Sequence, residues 1–132
     1  MITLIRSKDG TIKTFSPRPF EGYNLALGES IELVDTTFEE FAQRFVVSCM
    51  GVSGETLSVK QGSPDLIVNI TAPGQSTVDV DINGSIETLT PIDGGFQVVL
   101  STDVPGVFVI QPADRKKFCA AGQGLLVIEV NP

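Results

Sequence analysis

The chain has 132 residues, 42% of them apolar, with two cysteines, no histidine, no tryptophan and a formal net charge of −7. That length suits one domain, or one small domain with an appendage, and the apolar share sets a disordered chain aside. No apolar run approaches the ~18 residues of a membrane-spanning helix, and the lack of histidine removes the common zinc patterns and the usual base of a Ser or Cys nucleophile.

The opening, Met1 to Gly10, holds no apolar run long enough for a secretory leader, because Arg6, Lys8 and Asp9 interrupt it. The chain is therefore expected to act where it is made or to leave by lysis. Residues 2–6 and 11–15 are short β-prone runs separated by Ser7-Lys8-Asp9-Gly10, a hairpin signal. The stretch Ser16 to Asn24 carries two prolines and a glycine and reads as a loop. In Ser30–Asp35, Ile31 and Leu33 alternate with Glu32, as in a strand with one wet face.

A helix is expected next. Thr37 followed by Glu40 is a capping box, and Phe38, Phe41, Ala42, Phe45 and Val46 fall on one helical face. The helix should run from Phe38 to about Phe45, although the β-branched residues after Phe45 suit a strand equally. The bland reading of the phenylalanines, a face packed on a sheet, is preferred to a ligand groove.

Beyond the Gly-rich joint at residues 50–54, a period of two takes over. Strands are expected at Thr56–Lys60, Asp65–Thr71, Thr77–Ile82, Ser85–Leu89, Phe96–Ser101, Val107–Gln111 and Leu125–Val130. The punctuation between them is specific. Ala72–Gln75 is a turn, Asn83-Gly84 and Asp93-Gly94 are hairpin signals, and Pro105-Gly106 suits the centre of a type II turn. From Gln61 to Asp114 there are seven acids and no Lys or Arg. Such a surface repels phosphate, so nucleic acid is not an expected partner.

The stretch from Gly95 to Val130, with a strand, a Pro-Gly corner, the Phe108 strand, a loop and a closing Val-x-x-Val strand, resembles the end of a bacterial immunoglobulin-like (Ig-like) domain. The resemblance covers Thr56 to Val130. It implies a mainly β fold: an Ig-like antiparallel β-sandwich over residues 53–132, preceded by a small α+β segment, a hairpin plus one helix, over residues 1–52. The antibody-type pattern departs here: Phe108 stands where a corner Tyr would, and Cys49 and Cys119 do not bracket the sandwich as an inter-sheet pair does. One disulfide between them is conceivable, but a chain without a leader is expected to keep free thiols.

Three motifs invite chemistry. Asp79, Asp81, Asn83 and Gly84 match the start of an EF-hand calcium loop, but Thr90 stands where the bidentate Glu belongs, and the same residues read better as a hairpin. Gly122-Gln123-Gly124 precedes a strand instead of a helix, so it is not a dinucleotide fingerprint. Cys119 lies close in sequence to three cations that lower a thiol pKa, yet no base accompanies it. No catalytic residue, metal ligand or cofactor is therefore assigned, and the chain is expected not to be an enzyme. The candidate contact residues are Arg115, Lys116, Lys117 and Phe118, in the loop before the last strand, with three cations to meet an acidic patch and a phenylalanine to anchor it. The alternative is a solvated loop with Phe118 tucked into the sandwich end.

The expected role is that of a structural or interaction protein. An Ig-like module made without a leader fits a phage virion, as a capsid decoration or tail-associated protein made in the host cytoplasm, with protein partners and many copies on a lattice. A membrane and a small-molecule ligand are not expected partners. The alternative is an adhesin or carbohydrate-binding module at the cell surface, though a single Tyr and no Trp offer sugars a poor stacking platform.

Overall fold

The computed structural model describes residues 1–19, 24–93 and 95–132. Strands hold 49% of the residues and helical turns 6%, so the chain is mainly β, as expected. Among the described residues the strands form three sheets, nearly all antiparallel.

The first sheet is built from β1 (Ile2–Arg6), β2 (Ile12–Ser16) and β3 (Ser30–Val34), in the order β2-β1-β3. Its central strand buries Ile2, Thr3, Leu4 and Ile5 in succession, so both of its faces are covered. The expected hairpin turn joins β1 to β2. The Ser7 N–H donates to Thr11 O at 2.9 Å, and Gly10 takes φ +90°, a conformation other residues adopt reluctantly. The Asp9 carboxylate closes the turn by accepting from Ser7 Oγ at 2.5 Å and Thr11 N at 2.9 Å. The loop expected over Ser16–Asn24 falls partly on Phe20, Glu21, Gly22 and Tyr23, which lie outside the described residues.

Helix α1 spans Phe38–Ala42, with Thr37 as N-cap accepting from Glu40 N at 3.1 Å. Glu40 does not reach back to the Thr37 N–H as a full capping box requires; its carboxylate accepts from Thr36 Oγ1 at 3.2 Å. The helix ends three residues earlier than its apolar period suggests. The β-branched pair Val46 and Val47 is drawn into β4 (Val46–Cys49), which pairs with β7 (Leu66–Thr71). The expected single face is thereby split. Phe41 packs with Ile2, Leu4, Ile12 and Cys119, whereas Phe45 enters the larger core described next.

That core lies between a four-stranded and a five-stranded sheet. The first has the order β10-β7-β4-β5, with β5 at Val52–Ser53, β7 at Leu66–Thr71 and β10 at Phe96–Leu100. The second has the order β6-β12-β11-β8-β9, with β6 at Thr56–Lys60, β8 at Val78–Ile82, β9 at Ser85–Leu89, β11 at Gly106–Pro112 and β12 at Leu126–Asn131. Alternation decides which side chains face in. Leu66, Val68 and Ile70 are buried while Ile67, Asn69 and Thr71 are exposed, and β10 repeats the pattern. Each fully buried aliphatic side chain contributes roughly 1.5–3 kcal/mol. The β6–β12 pair is parallel, which lets β6 close the five-stranded sheet directly after β5 has closed the other. The four-stranded sheet takes β4 from ahead of residue 53.

The turns confirm most of their signals. Asn83 and Gly84 take φ of +52° and +88°, both positive as a type I′ hairpin requires. Gly74 takes φ +78° in the Ala72–Gln75 turn. The Asp93-Gly94 signal falls partly on Gly94, outside the described residues. Pro105-Gly106 does not form the type II turn, because Gly106 lacks the positive φ that turn needs. Gly106 instead opens β11 opposite Val130, and the chain bends earlier, at Asp103 and Val104.

Candidate functional site: the loop before the last strand

Residues 113–121 cross one end of the two facing sheets and carry the four candidate contact residues. Asp114 organises the loop. Its Oδ1 accepts from Lys116 N at 3.1 Å and Lys117 N at 3.2 Å, and its carbonyl accepts from Phe118 N at 3.0 Å. This winds Arg115, Lys116 and Lys117 into one tight turn that sends three cationic side chains in different directions.

The Arg115 guanidinium lies 3.2 Å from Asp81 Oδ2 on β8. Both groups keep solvent contact, so the pair is worth at most about 1 kcal/mol. The Lys116 methylenes lie across Gly10 of the β1–β2 turn, 3.6 Å from where a Cβ would stand. Lys117 Nζ donates to Gln75 Oε1 at 2.7 Å and lies 5.4 Å from the Phe118 ring centre. Phe118 is buried, its ring 5.2 Å from that of Phe45. As the fold stands, Phe118 serves the core and Lys116 and Lys117 are the exposed cations of the loop.

The loop backbone is also held from outside. The Ile12 N–H donates to Arg115 O at 2.8 Å, and Arg6 Nη1 donates to Lys116 O at 2.8 Å and to Gly10 O at 2.9 Å. Arg6 thus ties the first sheet to a loop 110 residues later. No local pattern in the sequence announces that contact. Gly124 fixes the loop's far end, since a Cβ there would stand 2.2 Å from Cys119 O. The Gly122–Gly124 stretch is accordingly a short 3-10 turn with a packing role.

The acidic hairpin takes the strand form and not a calcium loop. Asp79 Oδ1 accepts from Thr88 Oγ1 at 2.6 Å across the β8–β9 pair, and Asp81 Oδ1 accepts from Gly84 N at 2.7 Å. The Asn83 amide bonds β11 with both arms, donating to Val107 O at 2.9 Å and accepting from Val109 N at 2.7 Å. The three oxygens a calcium loop would gather are turned to separate partners. Cys49 and Cys119 are free and buried, and burial pushes both thiols above the ordinary value of 9.0. The three cations that neighbour Cys119 in sequence point elsewhere, to Asp81, Gly10 and Gln75.

Beside the loop is a hollow of about 510 Å³ lined by Asp79, Asp114, Arg115 and Lys116 among others, in which both charge signs alternate. A second, of about 650 Å³, lies on the outer side of the four-stranded sheet against Met50, Pro64, Ile67 and Gln97. Asp65 is the one ionisable residue among its described lining. That lining offers apolar contact and amide hydrogen bonds, without a pair of titratable groups for acid–base work. No protein family, curated protein or solved structure matches this chain.

Proposed function

We propose that this chain is a non-enzymatic structural and interaction protein built on an Ig-like sandwich, and that it serves a phage particle as a capsid decoration or tail-associated protein. The observation that carries the reading is the strand order. The run β12-β11-β8-β9 follows the G-F-C-C′ order of one Ig-like sheet, and β4-β7-β10 follows the A-B-E order of the other. The strand that flanks E in that scheme has no counterpart next to β10 among the described residues, where β10 is the edge.

The role follows from what such a scaffold leaves outside. Its ionisable side chains near the candidate loop are tied to neighbours, as Asp81 is to Arg115 and Asp79 to Thr88. They brace turns, so Asp79 and Arg115, in the wall of the hollow beside the loop, already have partners within the fold. Apolar side chains meanwhile stand in solvent at Leu27, Ile31, Leu33, Ile67 and Val99. Exposed apolar residues on a rigid β frame are suited to protein contacts. The acidic surface from Gln61 to Asp114 limits adhesion to packaged nucleic acid.

The test is direct. Phage particles purified on a density gradient should contain the chain in many copies, and the isolated chain should co-sediment with particles that lack it. Recovery from the cell-surface fraction alone, together with selective binding on a glycan array, would replace this reading with the adhesin.

A further inference from the structure

We infer that two copies of this chain join edge to edge through β3, antiparallel, about a two-fold axis at Glu32. The inference goes beyond the virion reading and does not depend on where the chain is carried. β3 is the outer strand of the β2-β1-β3 sheet. Every second residue of an outer strand turns its N–H and C=O away from its neighbour, and no described strand pairs with this side of β3. An open edge of this kind is a template for another strand unless something blunts it.

The other edges differ. β2 carries the exposed Lys13 and runs into Pro17 and Pro19, β5 has only two residues, β6 ends in the exposed Lys60, and β9 has one exposed large apolar residue, Ile86, which shares its face with Thr88. β10 presents Val99 between the polar Gln97 and Ser101. β3 instead presents Ile31 and Leu33 on one face, 45% and 65% exposed, with no proline or lysine among its residues. A lone protein leaves such a pair in water at a cost that pairing removes.

The second copy is the occupant because β3 complements itself. In antiparallel register centred on Glu32, Ile31 lies opposite the second copy's Leu33, and Leu33 opposite its Ile31. Directly opposed residues share a face. Four apolar side chains therefore meet in one block on one side of a continuous six-stranded sheet (three strands from each copy). The same register brings the two Glu32 residues together on the opposite side, which would ordinarily oppose pairing. Here each is already held by its own Arg6, Nε to Oε2 at 2.6 Å, and Glu29 at the strand's start is held by Lys13. The like charges at the seam are neutralised from within each copy.

Sedimentation equilibrium of the whole chain over a range of concentrations tests this. The wild type should form dimers, and Leu33→Lys should weaken them roughly tenfold or more, since each cation enters the apolar block twice by symmetry. Because Leu33 is exposed, far-UV circular dichroism and melting should be unchanged; Ile31→Thr, which keeps a β-branched residue, supplies a second and gentler variant. Glu32→Cys should cross-link the dimer under mild oxidation, whereas Ser85→Cys at the far hairpin should not. A wild type that stays monomeric at every concentration overturns the inference. So does a dimer untouched by Leu33→Lys and Ile31→Thr, or one that Glu32→Cys fails to cross-link.

Discussion

Gly124→Ala isolates a steric demand that the backbone conformation does not explain. Gly124 is not in the left-handed region, so alanine is compatible with its backbone, yet the added Cβ would stand 2.2 Å from Cys119 O and 3.5 Å from Phe45 O. An ordinary carbon–oxygen contact is about 3.4 Å or longer, so the carbonyl must retreat by about 1 Å. Cys119 O belongs to the chain segment that carries the buried Phe118 and Cys119, so the retreat disturbs both cores. Overpacking of this kind costs about 3 kcal/mol. Two other glycines calibrate it. Gly122 has φ +72° and open space around its Cβ position, so alanine there costs only the left-handed penalty of ~1 kcal/mol. Gly106 has neither restriction, so alanine there should be neutral or stabilise by about 0.5 kcal/mol. Urea titration followed by far-UV circular dichroism, with thermal melts beside it, reads the series. At about 4 °C per kcal/mol for a chain of this size, Gly124→Ala should melt about 12 °C below the wild type. A Gly124→Ala protein within ~1 kcal/mol of wild type, or one more stable than Gly122→Ala, would refute the steric reasoning.

Asn83→Ala loses both amide bonds to β11 and places alanine at φ +52°, for about 2 kcal/mol in a urea titration, while Asn83→Gly keeps the turn and loses about 1 kcal/mol. Arg6→Ala removes the bonds to Gly10 O and Lys116 O, so it should cost about 1–2 kcal/mol and speed amide exchange at Ile12 and Phe118 more than in the β11–β12 pair. Hydrogen bonds from Ser7 and Thr11 lower the Asp9 pKa from 3.8 to about 2. A depressed carboxylate stabilises the fold above its unfolded pKa and loses that contribution as pH falls through the folded one. The stability advantage of wild type over Asp9→Asn should therefore be full at about pH 5, shrink between about pH 4 and 2, and vanish below, in denaturation series taken at each pH.

Residue alternation and turn chemistry are local, and they were legible from the chain alone. A period of two with β-branched residues marked the strands from Thr56 to Val130, and β6 and β9 match their expected bounds. Asn83-Gly84, Asp9-Gly10 and Pro73-Gly74 specify turns because few residues tolerate positive φ. The mainly β fold follows from those two signals, and so does the preference for a hairpin over a calcium loop at Asp79.

Tertiary contacts decided the rest, because each depends on groups far apart in sequence. Helix propensity alone would have carried α1 to Phe45, but pairing between Val46 and Thr71 ended it at Ala42. The free-looking loop at Arg115 is held by Arg6 and Ile12, and its phenylalanine completes a core that only two facing sheets create. Burial among Ile2, Leu4, Ile12 and Phe41, between the first sheet and α1, raised the Cys119 thiol although its sequence neighbours are cationic. Local preferences act within a turn or a strand, whereas burial and long-range hydrogen bonds exist only once the chain has closed on itself.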